Sequence, residues 1–213
     1  MASTNGYKQY AVELTGIVPM LMHNGQLSDP KNEFARKMKD LSGKRKKTDA
    51  DYEALARLEF MGGLYLNSAG EICPPTLVIE SLIVEGARTH REGQIALAGA
   101  FVDPGVKFEF DGPKTPEERA EDPTCRLEVG VRVQRNRVQR TRPIFENWTL
   151  RFDLSVLEEE VTRDHLSRWL RAAGTKKGLG DWRPRFGRFS LSSLVSGDLE
   201  DRRKKSVAAQ GIS

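Results

Sequence analysis

Trp148, Leu150, Phe152 and Leu154 alternate with Thr149, Arg151 and Asp153. Successive side chains of a strand point to opposite faces, so this stretch has one apolar face and reads as a strand. Such a strand needs paired neighbours and a layer of helices over its apolar side. The rest of the chain offers both. Tyr10, Val12 and Leu14 share one face of a strand over 7–16, and Leu127, Val129, Val131 and Val133 alternate with Glu128, Gly130 and Arg132 over 127–134. Phe189 and Leu191 open a last strand over 187–194. Val78, Ile79, Leu82 and Ile83 form a stripe at helical spacing over 76–87. Thr162 is a suitable N-cap, Leu166, Trp169, Leu170 and Ala173 form a second stripe, and Gly174 suits the position past a helix end.

The resulting order is β-α-β-β-α-β, an α+β ferredoxin-like palm of the kind that RRM-like RNA-recognition domains share. The 127–134 strand is the expected neighbour of the 146–155 strand. Residues 31–70 and 89–125 then become insertions. The first holds two helical pieces, 33–41 and from Thr48 onward, and a small hairpin around Asn67 to Gly70. The second holds a short strand with Val106, Phe108 and Phe110, then a polar loop over 112–125 with Pro113, Pro116 and Pro123. A chain of 213 residues fits one domain, taken as 1–196, with 197–213 as a flexible polar tail.

Charge is more informative by segment than in total. The 34 Lys and Arg against 30 Asp and Glu give a net +4. Arg132, Arg135, Arg137, Arg140 and Arg142 fall between positions 132 and 142 with no acid, so removing their +5 leaves the remainder at −1. From Lys176 to Arg188, Lys176, Lys177, Arg183, Arg185 and Arg188 face only Asp181. Lys44, Arg45, Lys46 and Lys47 form a third basic run, and acid gathers at 117–122 and 158–160. A surface polarised in this way suits a polyanion.

The most specific motif is Gly178-Leu-Gly180-Asp-Trp182-Arg-Pro-Arg-Phe186-Gly187-Arg188, between the last helix and the last strand. Glycine lets backbone approach a phosphate, arginine adds charge, and Trp182 and Phe186 offer faces on which bases stack. The bland alternative makes the two rings anchors of a structural turn. A dinucleotide fingerprint is excluded because position 183 is Arg and a helix precedes the loop, and no Gly-Lys-Ser/Thr phosphate loop occurs. For the arginine segment the bland alternative is a solvated strand paired to Glu158 to Glu160; five unpaired arginines near Phe145 and Trp148 favour nucleic acid.

Cys73 and Cys125 stand alone, consistent with buried thiols and not with a disulfide framework or a cysteine zinc site. His23, His90 and His165 make no metal-ligand spacing, so neither a metal nor another cofactor is expected. His23, just past the first strand, is the one candidate general base, against a structural alternative. No run of 18 apolar residues and no signal-peptide core occur, so a cytoplasmic protein without membrane contact is expected.

Together the strand order and the Gly178-Leu-Gly180 to Gly187 loop resemble the RAMP superfamily of CRISPR proteins, most of all the repeating backbone subunit of class 1 effector complexes. Thr15-Gly-Ile-Val-Pro-Met-Leu-Met-His23 and the run from Gly178 to Phe189 also resemble small bacteriophage proteins, which would place the protein in the host cell cytoplasm. The resemblance implies that Gly178, Gly180 and Gly187 shape a loop meeting the nucleic-acid backbone, and that the 31–70 insertion with its Lys44 to Lys47 tip acts as a finger or thumb. It also implies self-association into a helical or ring oligomer, with or without other nucleoprotein subunits.

The leading expectation is a non-catalytic protein that oligomerises along single-stranded RNA or DNA, using the sheet, the 132–142 arginines and the glycine-rich loop. A metal-independent endoribonuclease with His23 as base is the first alternative. A structural phage component whose basic patches meet an acidic partner is the second.

Overall fold

A computed structural model describes residues 6–133 and 136–197. The elements run β1 (Tyr7–Gly16), β2 (Met20–Leu21), α1 (Glu33–Ser42), α2 (Asp49–Gly63), α3 (Thr76–Arg88), α4 (Gly93–Gly99), β3 (Ala100–Val102), β4 (Lys107–Phe110) and α5 (Pro116–Glu121). They continue with β5 (Arg126–Val133), β6 (Asn136–Phe145), β7 (Trp148–Leu157), α6 (Arg163–Ala172) and β8 (Phe189–Ser196).

The alternation from Trp148 to Leu154 is β7, whose residues are buried and half-buried in strict turn. One edge of β7 pairs antiparallel with β1, from Tyr7 opposite Leu157 to Thr15 opposite Thr149. Its other edge is shared by two short strands: β3 sets Ala100 opposite Val156, and β4 sets Phe110 opposite Trp148. β1 in turn pairs antiparallel with β8. The order is therefore β8, β1, β7, then β3 and β4 together, with α3 and α6 joining the strands as crossovers. That is the ferredoxin-like arrangement.

The second palm strand is not the expected one. Both edges of β7 are taken, which leaves no edge for residues 127–134. Instead β5 pairs with β6 as a hairpin, Leu127 opposite Arg142 and Val131 opposite Val138, and β6 pairs with β2 in a separate sheet. The 89–125 segment is consequently not a simple insertion, because 100–102 and 107–110 complete the palm; the inserted piece is α5 with the β5–β6 hairpin. The loop expected over 112–125 contains α5, capped by the Thr115 hydroxyl, which accepts from the Glu118 N–H. Other boundaries hold to within a few residues. Beyond Gly197 the tail lies outside the described residues.

Tyr10, Val12 and Leu14 on β1 and the buried face of β7 pack against Ile79, Leu82 and Ile83 of α3 and Leu166, Trp169 and Leu170 of α6. Full burial of a Leu- or Phe-sized side chain stabilises by roughly 1.5–3 kcal/mol, so this face dominates the fold's stability. The two helices cross closely at Gly86, where a β-carbon would stand 2.2 Å from the Trp169 carbonyl oxygen. Thr162 caps α6 as expected, its hydroxyl accepting from the His165 N–H. The helix does not stop at Gly174: a π turn over Ala173–Lys177 carries it on to Gly178, at φ +81°. Among the described residues no helix is long and apolar enough to cross a membrane.

Candidate nucleic-acid interface

β6 is the strand around which the basic segments are arranged. From it Arg142 donates through Nη1 to Glu59 Oε1 of α2 at 2.6 Å and through Nε to Asp181 Oδ2 of the glycine-rich loop at 2.8 Å. Its side chain is 8% exposed and that of Glu59 is 6%. Glu59 also accepts from the Thr141 N–H at 2.9 Å and lies 3.4 Å from Arg140 Nη1. Arg142 stacks its guanidinium 5.9 Å from the Trp182 ring centroid. The expectation of five unpaired arginines therefore fails for Arg140 and Arg142, whose partners come from α2 and the loop and not from Glu158 to Glu160. Arg142 is a structural cation. The signal for Glu59 was present in the sequence, an acid set in the apolar run Leu58-Glu59-Phe60-Met61, but its partner could not be read from spacing.

The loop is latched to β2 and its approaches. Asp181 N–H donates to the Leu21 carbonyl and Gly187 N–H to the Pro19 carbonyl, both at 2.8 Å. Leu179 N–H closes the loop onto the Gly187 carbonyl, and Gly178 N–H caps the π turn through the Ala173 carbonyl. Gly180 and Gly187 take φ +89° and +73°, and a β-carbon would lie 2.1 Å from Leu21 O at the first and 1.7 Å from Leu179 O at the second. The protein's own backbone thus accounts for these glycines without any phosphate. Trp182 and Phe186 are half-buried, with ring centroids 6.3 Å apart.

The cations around this loop differ from those on β6. Lys176, Arg185 and Arg188 are exposed, and among the described residues none of them has an acidic partner. Lys177 is half-buried and also unpaired, while Arg183 donates to Glu85 Oε2 at 3.0 Å. At the turn between α1 and α2, Lys44 is held by Asp51 at 2.5 Å and Lys47 Nζ donates to the Lys44 carbonyl, while Arg45 and Lys46 are exposed and have no acidic partner among the described residues. Lys47 and Arg140 line the same groove of about 660 Å³, between α1, α2 and the β5–β6 hairpin, so the structure brings these two segments together. On the hairpin Arg132 is exposed and falls opposite Arg137 in register. Arg135 lies outside the described residues.

The open face of the palm was expected to contribute and is poorly suited to it. Arg151 is held there by Glu13 at 2.8 Å and by Glu109, and Ser155 donates to Asp103. Glu13, Glu109 and Asp103 outnumber Arg151 and Lys107, which stands opposite it in register, so the face offers a phosphate backbone little net attraction.

His23 lines a cavity of about 350 Å³ with Tyr65, Glu85, Asp181 and residues of α3. Burial lowers its pKa below 6.5, and the nearby Arg142 guanidinium lowers it further, so the ring is neutral at pH 7. Its Nδ1 is buried without a hydrogen-bond partner, and Tyr65 donates its hydroxyl to the His23 carbonyl at 3.2 Å. Cys73 is buried and its thiol is pushed up to about 11, which makes it unreactive. Sequence reasoning missed Arg119, which is 2% exposed, sits 4.3 Å from the Phe145 ring centroid, and donates to the Asp111, Pro113 and Ile144 carbonyls. It pins α5 to the hairpin.

No family model matches the sequence, and no curated protein matches it significantly. Among solved structures it is similar to a chain of the Type III-B Cmr-beta complex determined by cryo-EM bound to cognate target RNA. The TM-score is 0.48 and the identity 13%, over 90% of this chain and 61% of that one. The chain thus spans less than two thirds of that neighbour's length. The ferredoxin-like assignment rests on the strand pairing itself.

Proposed function

We propose that the protein binds single-stranded nucleic acid along the glycine-rich loop and the adjoining basic turns, without cleaving it. One observation carries this reading: Lys176, Arg185 and Arg188, on and beside the loop that carries the half-buried Trp182 and Phe186, are exposed and have no acidic partner among the described residues, while the loop's own acid, Asp181, is occupied by Arg142. Exposed cations beside aromatic faces serve the backbone and bases of a flexible strand at once. Self-association along the strand belongs to the proposal, since the acidic open face of the palm and the basic loop of a second copy are complementary in charge. Fluorescence anisotropy with labelled single-stranded RNA, single-stranded DNA and duplex tests it. Tighter binding of either single strand than of duplex is expected, and an acidic protein partner is indicated if none of the three binds.

A metal-independent endoribonuclease is the second reading, favoured by the neutral His23 in a cavity beside Tyr65 and Arg183. A group with a lowered pKa is free to accept a proton near pH 7. Incubation of labelled RNA with EDTA separates the two: products that disappear in His23→Ala would establish cleavage.

A further inference from the structure

The cavity beside His23 is not explained by the cations on the loop. Its floor is apolar, built by Val78, Leu82 and Leu179, and Leu77 is 71% exposed nearby. At about 350 Å³ it falls at the small end of the roughly 300–1,000 Å³ range in which proteins hold small ligands. At its rim a carboxylate and a guanidinium stand side by side, with Arg183 Nη1 donating to Glu85 Oε2 at 3.0 Å. That bond uses one oxygen of Glu85 and one nitrogen of Arg183, so the second oxygen and further N–H groups remain for a ligand. The two side chains are 31% and 38% exposed and are therefore within reach of one.

We propose that this cavity seats a single unstacked guanine, whose N1–H and N2–H₂ donate to Glu85 while Arg183 donates to O6, with the ring lying on the apolar floor. The inference rests on the strand-binding reading and adds a base preference to it. The complementarity is specific in sign. Guanine presents acceptor, donor, donor along this edge, which matches a guanidinium beside a carboxylate. Adenine and cytosine place a ring acceptor where guanine has N1–H, and uracil sets its O2 acceptor against the carboxylate. Bases splayed from single strands are commonly read along this edge. Tyr65 and His23 also line the cavity.

The test is calorimetric titration of the full chain with GMP, AMP, CMP and UMP, together with anisotropy of a labelled uridine tract with and without one central guanosine. GMP is expected to bind about tenfold more tightly than the others, and the single guanosine to tighten strand binding by a similar factor, the scale of one good two-point base contact. Glu85→Gln and, separately, Ser81→Phe, which fills the cavity from an exposed helix position, should remove the preference and leave the plain uridine tract bound as before. Strand binding with no guanine preference overturns the pocket and leaves the strand-binding reading standing. Preferential binding of GMP by a chain that holds no strand supports the pocket and overturns the strand-binding reading. A preference that survives both substitutions also overturns the pocket.

Discussion

Arg142 donates from Nε to Oδ2 of Asp181 at 2.8 Å, and this bond ties the β5–β6 hairpin to the glycine-rich loop. The same guanidinium reaches Glu59, so α2, β6 and the loop meet at one buried charge. Removing one partner of a buried pair costs about 3–5 kcal/mol, because the other charge is left uncompensated. Arg142→Met is expected to lose stability of that order in urea denaturation. Adding Glu59→Leu should restore part of it, with a coupling of about 0.5–3 kcal/mol in the double-mutant cycle. Strictly additive losses would show that the pair does not hold the three elements together.

The loop glycines should behave as packing residues. At Gly187→Ala the new β-carbon meets backbone 1.7 Å away, and backbone cannot yield as a side chain does. At Gly105, φ +99°, nothing lies within 4 Å, so Gly105→Ala incurs only conformational strain of roughly 1–2 kcal/mol. Thermal denaturation should find Gly187→Ala clearly the more destabilised of the two. Equal losses would mean that the close approach of Leu179 to Gly187 is not a tight one.

His23 predicts a pH effect with a definite sign. Its folded pKa is lowered by burial and then by Arg142, so below 6.5 the unfolded chain binds the proton more readily than the folded one. Stability should therefore fall as the pH drops from 6.5 towards the lowered folded value, and be fully present above 6.5. In denaturant titrations across that window, His23→Gln should show a flatter dependence than wild type. An unchanged slope would show that His23 is not the group responsible.

Much of the palm was legible because its information is local. The strict alternation of β7, the stripe at Val78, Ile79, Leu82 and Ile83, and the Thr162 cap each fix an element from a few neighbouring residues. The second palm strand was legible only in part: it is divided between β3, whose three residues give no periodicity to count, and β4, whose alternation at Phe108 and Phe110 marks a strand without saying that it pairs with β7. The longer alternation at 127–133 was the stronger pattern and belongs to a hairpin outside the palm. The candidate site divides in the same way. Basic segments are visible as composition, but which cations are neutralised depends on residues far apart in sequence: Glu59 with Arg142, Asp181 with Arg142, Glu85 with Arg183. Glycines at 178, 180 and 187 announced an unusual backbone without saying what it approaches, which proved to include the carbonyls of Phe186, Leu21 and Leu179.

The most direct test of the account is the salt dependence of single-stranded RNA binding, compared between wild type and a Lys176→Ala, Arg185→Ala, Arg188→Ala triple variant. Each phosphate contact on a single strand contributes about 0.7 to the slope of log K against log salt. The account predicts that the triple variant binds all sequences more weakly and that its slope is shallower by about 2, with the fold intact by circular dichroism. A wild type that binds no strand, or a triple variant with the wild-type slope, would contradict it.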